Sequence, residues 1–375
     1  MTVNRPIVHI LGLGAMGTVL AVDLLRFSNA MLIPLFRSEE KLNRFQNEFK
    51  SQIGIRKLYE SNKPLYTFDI ERSECPEKFG GEKIKNLVIT TKTYQTKEAI
   101  APYLPYIDNE TNIILIQNGL GVLEVLKEEV FNNSSKPNLF QGVISHGVYQ
   151  DKGFIYNHAG WVGMKIARLP WSEGDMIQTV DFVKRDTENE LIKLLTQPKL
   201  AKDFGIEHMT YQEMLLGQLF KFLINSCMNP VTAIVDCVNG EMVDHCSPVF
   251  RSIIDECLSV LRVAYKPLFD YDRKYQGNDQ YPTLGVNDVL QVDHMVKEVV
   301  DCGCVVNERN SSSMRQDTLY LRDTEIEYIN GYIVKLAHDF KLAEDSCKVN
   351  KTISELVNLR LGLNRTRAAQ GDWRK

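Results

Sequence analysis

Little in this sequence is extreme, and each shortage removes a class of function. Charge is nearly balanced: 44 Lys and Arg against 48 Asp and Glu give a formal charge of −4. A nucleic-acid binder usually gathers a clearly basic face, and a pI of about 6.0 gives no support for one. No apolar run approaches the ~18 residues that span a bilayer. The opening Met1-Thr-Val-Asn-Arg-Pro6 leads straight into an apolar strand. It has neither the apolar core of a signal peptide nor the pattern of a transit peptide, so a soluble cytoplasmic protein is the default expectation. None of the eight cysteines forms a CxxC pair, and Cys302 and Cys304 lack a second pair at zinc spacing. Reduced thiols and no metal are expected.

What is present is ordinary globular composition, 44% hydrophobic and 25% charged. At ~150 residues per domain, 375 residues allow two or three domains. The first 150 residues alternate between strand and helix signals. Ile7–Leu11, Met31–Phe36, Leu87–Thr91 and 112–116 read as strands, with helices at 16–27, 41–50 and 97–104 and a β-like patch over 53–70. That alternation implies crossover connections and a mostly parallel sheet. Two further β-rich stretches, 140–149 and 154–167, read as later strands of the same sheet. Residues 170–203 are polar and irregular apart from a short helix near 188–195, and read as an inter-domain stretch or an insertion. Beyond Gly205 the pattern is helical: 214–227, 248–265, 294–300 and 317–340, broken by a Tyr-, Asp-, Pro- and Gly-rich loop over 266–292.

Between the first strand and the first helix stands Gly12-Leu13-Gly14-Ala15-Met16-Gly17. A lone GxGxxG is weak, but here it follows a strand and opens a helix, the context the motif needs. The first glycine permits the turn, the second lets backbone approach a pyrophosphate, and the third lets helix pack on strand. The N–H groups and positive dipole end of the helix then hold phosphate. A glycine turn without a ligand is the competing reading. The expected fold is an α/β N-terminal Rossmann-type dinucleotide-binding domain over 1–203, followed by an all-α C-terminal domain over 204–375.

An NAD enzyme tends to place an acid at the end of the second strand, for the ribose 2′-OH. This chain reads Leu35-Phe36-Arg37-Ser38, with no acid until Glu39. Arg37, with Ser38 and Lys41 near, suits a 2′-phosphate and so favours NADPH/NADP+, although an exposed Arg at a strand end is also common. Two more strand ends carry polar groups, Thr90-Thr91-Lys92 and Gln117-Asn118-Gly119, at the carboxyl edge where ligands of open α/β sheets sit.

In the helical half, Lys221, Asn225 and Asn229 are spaced by four and fall within about 80° of one another on a helix. Their neighbours Phe220, Phe222, Leu223, Ile224 and Met228 are apolar, so these polar groups need partners at a largely buried surface. A polar substrate is one answer and a solvated lysine face the other. Pro230 disfavours helix at Asn229, and a bend is expected there. Ser313 with Gln316 fits a capping box that opens the next helix. A helix N-terminus with serines is also a carboxylate site. Asp317 and Glu325, eight residues apart, are expected on one face of that helix.

Taken together, these segments resemble the ketopantoate reductase (2-dehydropantoate 2-reductase) family, NADPH enzymes of pantothenate and coenzyme A synthesis. The resemblance rests on Gly12–Gly17, Leu35-Phe-Arg37, Thr91-Lys92, Gln117–Gly121, Lys221–Ala233 and Ser312–Asp317 with Thr324–Gly331, in the family's order. It implies a proton donor at Lys221, substrate contacts at Asn118, Asn225, Asn229, Asn239 and Ser313, and an acid near cofactor and substrate at Glu325. It further implies cofactor contacts at Gly12, Leu13, Gly14, Ala15, Met16, Gly17, Arg37, Lys92, Asn118, Val148 and Glu325. The chain departs from the family at Leu219, where a Trp is frequent, and in longer stretches at 165–205 and 266–308. The implied reaction passes a hydride to the keto carbon of a small 2-oxo acid while Lys221 protonates the developing alkoxide. Two alternatives stay open: reduction of another branched 2-oxo acid, and a non-catalytic NADP(H)-binding regulator. Neither a membrane nor a nucleic acid is expected as partner; a homodimer is left open.

Overall fold

The computed structural model describes residues 5–117, 120–132 and 135–373 of the 375. The chain forms two compact units: Met1–Gln117 with Val122–Met214, and Asn118–Gly121 with Leu215–Lys375.

The first unit is built on a seven-stranded sheet. Its strands are β1 (Ile7–Leu11), β2 (Met31–Leu35), β5 (Asn86–Ile89), β6 (Asn112–Leu115), β7 (Asn138–Ile144), β10 (Met164–Arg168) and β11 (Ile206–His208), in the order β11-β10-β7-β6-β5-β1-β2. The pairings from β2 to β7 are parallel, and β10 joins β7 antiparallel. Val8, Ile10, Leu87, Val88, Ile113 and Ile114 are fully buried, as expected of parallel strands covered on both faces. At the amino edge of this sheet, Asn112 Nδ2 donates to Asn86 Oδ1 (2.9 Å) and Asn138 Nδ2 to Asn112 Oδ1 (3.0 Å), satisfying amides that would otherwise be buried alone.

A second sheet departs from the sequence expectation. Strands β3 (Gln52–Lys57), β4 (Leu65–Asp69), β8 (Gly147–Lys152) and β9 (Ile155–Gly160) form a separate four-stranded sheet, order β4-β3-β9-β8. So 140–149 and 154–167 do not continue one sheet: β7 and β10 stay in the large sheet while β8 and β9 leave it. Only Ser145 and His146 separate β7 from β8, and a gap that short ordinarily suggests a hairpin. Which strand β7 chooses depends on non-local pairing that sequence spacing does not encode.

Helix α1 (Ala15–Phe27) packs on β3, β8 and β9, with Val19 to Leu24 buried. A buried ionic cluster fixes it. The Lys57 ammonium, fully buried on β3, lies 3.3 Å from Asp23 Oδ1 on α1 and also bonds Asp203. Arg26 reaches the same two acids at 2.7 and 3.1 Å. Asp203 lies in the stretch expected to be an insertion. Instead, 170–203 contributes helices over Val180–Asp186, Glu190–Leu195 and Pro198–Phe204, whose Leu191, Ile192, Leu195, Leu200 and Phe204 are fully buried core residues. With β11 forming one edge of the sheet, the expected boundary at 203/204 moves to Met214/Leu215.

In the second unit, no strand occurs among the described residues. Its main helices are α2 (Tyr211–Val235), which begins in the first unit, α3 (Ser247–Ala264), α4 (Ser313–Leu319), α5 (Asn330–Asp339) and α6 (Lys348–Ala369). Pro230 does not end α2. It removes one backbone donor, and the carbonyl thereby released, that of Ser226, accepts from Asn330 Nδ2 at 3.0 Å. Of the one or two helices expected over 317–340, two are present: α4 stops at Leu319, Leu321 has φ +59°, and a 3-10 turn covers Ile326–Tyr328 before α5. Residues 266–292 hold three short helical segments around the buried Tyr271 rather than an open loop. No helix among the described residues is long and apolar enough to cross a membrane.

Candidate functional site

The chain runs from β1 to β2 on one side and then crosses to β5 on the other, so the carboxyl ends of β1 and β5 border the point where strand order reverses. Such a reversal opens a crevice for ligand. The glycine loop and Thr90–Lys92 both stand there. Gly12 has φ +100°, and a Cβ on it would lie 2.8 Å from Thr91 N. Gly17 leaves no room either: its Cβ would meet Thr90 Oγ1 at 2.6 Å. Gly14 is different, being exposed with nothing within 4 Å of where a Cβ would be. Two glycines therefore serve packing, and the third keeps space open above the first turn of α1. That turn has no side-chain cap and no acidic residue, which leaves its N–H groups and positive dipole end for an anion.

The end of β2 is equally suggestive. Arg37 is exposed, and neither its guanidinium nor the Lys41 ammonium has a hydrogen bond or ion pair among the described residues. Ser38 caps the helix Glu39–Asn47, accepting from Lys41 N at 3.4 Å. At the next strand ends, Thr90 Oγ1 donates to Gly12 O, tying the loop to β5. Gln117 Nε2 donates to Thr91 O at 2.8 Å and to Thr96 Oγ1 at 2.6 Å. Lys92 is half-buried. Val148 is on β8, in the second sheet, half-buried against the core that also holds α1. Asn118 lies outside the described residues.

In the helical unit, Lys221, Asn225 and Asn229 occupy one face of α2. Burial pulls the Lys221 ammonium down from its usual 10.5 to about 8, and the buried Glu325 carboxylate opposes that drop. Asn225 is half-buried and Asn229 is 9% exposed, and neither side-chain amide has a partner among the described residues. Neither amide is sealed from solvent, so both are available to water or to a bound group.

Further along that face, Thr232 Oγ1 lies 2.7 Å from Ser312 Oγ, and Arg315 Nε donates to Asp236 Oδ1 at 3.0 Å. These two contacts fasten the start of α4 to the end of α2. Here the sequence reading is one residue off: Ser312, not Ser313, caps α4, accepting from Arg315 N at 3.1 Å. Serine runs allow either registration, and the tertiary bond to Thr232 selects Ser312. Ser313 is therefore relieved of capping and exposed. Asp317 and Glu325 do not share a helix, since α4 ends between them, and Asp317 instead pairs with Arg322 at 3.0 Å. Asn239 is buried and donates to Gly303 O at 3.2 Å, leaving its Oδ1 without a hydrogen bond among the described residues. The roles of Thr232, Ser312 and Asn330 were not anticipated from sequence; only the i+3 step from Asn229 to Thr232 hinted at the first.

Among the described residues no group of three or more His, Cys, Asp or Glu is placed to hold a metal. All eight cysteines are free thiols.

Residues 8–171 match the family described as ketopantoate reductase PanE/ApbA, and residues 213–360 match its C-terminal domain. A 2-dehydropantoate 2-reductase of Saccharomyces cerevisiae is 66% identical over 99% of both chains. A probable 2-dehydropantoate 2-reductase of Schizosaccharomyces pombe is 37% identical over 96% of this chain and 98% of its own. Among solved structures, a D-mandelate dehydrogenase in a ternary complex with NADH and anilino(oxo)acetate superposes with a TM-score of 0.70 at 16% identity, covering 95% of this chain and 98% of that one. Near-complete coverage of both units, with the family's own order of domains, leads to one conclusion: the chain belongs to the ketopantoate reductase family.

Proposed function

We propose that this oxidoreductase reduces 2-dehydropantoate to pantoate with NADPH, Lys221 acting as proton donor. The observation that carries the reading is a partly desolvated ammonium, held near pKa 8, in line with two amides that have no partner among the described residues.

NADPH, when bound, would supply the hydride that the keto carbon receives. Negative charge then grows on the carbonyl oxygen, where the Lys221 ammonium stabilises it and delivers a proton. Burial makes that ammonium a readier donor near neutral pH, and Glu325 keeps it from losing its proton too early. Asn225 and Asn229 donate to substrate oxygens. The hydroxyl of Ser313 does the same from a segment that the Thr232–Ser312 and Asp236–Arg315 contacts hold still. In the first unit, the turn around Gly14 accommodates the pyrophosphate, and Arg37 with Lys41 receives the 2′-phosphate. Lys92, Asn118 and the backbone near Val148 are further proposed cofactor contacts. Asn239 is proposed for the substrate through its open Oδ1.

The test is consumption of reduced nicotinamide by purified chain with NADPH or NADH and a panel of 2-oxo acids. The expected result is the highest kcat/KM for 2-dehydropantoate with NADPH. A higher value with another branched 2-oxo acid would reassign the substrate. Tight NADPH binding with no turnover on any panel member would make the chain a regulator.

A further inference from the structure

Glu39 is the first acid after β2 and follows Arg37 by two residues. Over two residues the backbone reaches at most about 7 Å. A carboxylate on a residue this near in the chain repels a 2′-phosphate wherever the two charges come within a Debye length, ~8 Å at physiological ionic strength. It is also the residue type that accepts the ribose 2′-OH in NAD enzymes. A second group occupies it: Glu39 Oε1 is 2.6 Å from Lys78 Nζ. The hydrogen bond from Lys78 holds the Glu39 carboxyl below its usual range, and the lysine is raised in return.

The lysine is not placed there by chance of rotamer alone. It ends a 3-10 turn, Pro76–Lys78, that follows a segment hydrogen-bonded to the last residues of β2. Phe36 N donates to Glu74 O at 2.7 Å and Glu74 N to Pro34 O at 3.0 Å, and the next residue, Cys75, is fully buried. The backbone that carries Lys78 is therefore registered against the backbone that carries Arg37.

We infer that Lys78 is a specificity-determining positioning residue, holding the Glu39 carboxylate in an ion pair and so preventing it from opposing a 2′-phosphate at Arg37. The inference rests on the NADPH reading above. Lys78 acts through Glu39 and touches neither cofactor nor substrate.

Lys78→Met removes the pairing at an exposed site, where such a bridge adds little to stability, so the variant folds. Screened repulsion within a Debye length predicts a KM for NADPH raised roughly two- to fivefold with kcat unchanged. The KM for NADH does not rise, and Lys78→Arg restores the original ratio. In a Glu39→Gln background, Lys78→Met leaves the NADPH/NADH ratio unaltered. Unchanged selectivity in Lys78→Met overturns the proposal, as does an equal loss in both backgrounds, which would mean Lys78 acts directly. Titration of the unmodified chain with both cofactors separates the two levels. Absence of an NADPH preference there overturns the NADPH reading and this proposal together, whereas a preference that survives Lys78→Met overturns this proposal alone.

Discussion

Raising the pH through 8 should switch this enzyme off in the reductive direction, and the position of that break measures the environment of one side chain. An unperturbed lysine holds its proton to about pH 10.4, and would leave the rate level across the accessible range. Lys221 is brought down to about 8 by burial. With a donor of that pKa, about nine-tenths of the enzyme carries the proton at pH 7 and about one-tenth at pH 9. The kcat/KM for the 2-oxo acid at saturating NADPH should therefore be flat below pH 7 and fall roughly tenfold per unit well above 8. The electrostatic partner gives an internal control. Glu325 raises the lysine's pKa, so Glu325→Gln must lower it and move the break toward acid. The assay is a pH profile of initial rates for both proteins, with buffers matched in ionic strength. A profile level to pH 10, or a break that stays in place in Glu325→Gln, would refute the reasoning that burial and Glu325 together set this donor.

Two glycines of one loop should respond in opposite ways. Gly12→Ala meets Thr91 N at 2.8 Å with φ +100°, and should lose about 1–3 kcal/mol of stability in urea unfolding. Gly14→Ala meets nothing within 4 Å, so its melting temperature should hold while the KM for NADPH rises. Lys57→Met leaves Asp23, only 1% exposed, with Arg26 as its remaining partner at 2.7 Å. It should cost about 3 kcal/mol by urea titration, with partial recovery on adding Asp23→Asn; an unchanged midpoint would show that the cluster is not needed to seat α1.

The sheet that carries the glycine loop was legible because its determinants are local. β-branched runs, the three glycines and the following apolar helix lie next to one another in sequence, and Arg37 follows β2 directly. The stripe of Lys221, Asn225 and Asn229 was legible for the same reason, since helical spacing alone aligns it. What was hidden depended on distant partners. The assignment of β8 and β9 to another sheet rests on β3, about a hundred residues earlier. Residues 170–203 look like a polar insertion because their apolar side chains are few, but Leu191, Leu195, Leu200 and Phe204 are all fully buried. Pro230 was read as a bend at Asn229, and the sequence does not show that Asn330 donates to the carbonyl that the proline frees. Helix α6 escaped notice because Leu356, Leu359 and Leu363 are exposed on one side while Ile353, Val357 and Leu361 are buried on the other. Apolar residues on both sides blur the periodic signal that marks an amphipathic helix.

Replacing Lys221 by alanine, and measuring turnover and cofactor binding on the same protein, tests the central claim most directly. The account predicts that the titration with NADPH is unchanged while kcat for 2-dehydropantoate falls by roughly 10²–10⁴-fold. Near-normal turnover in that variant would contradict it, and would place the proton donor elsewhere in the chain.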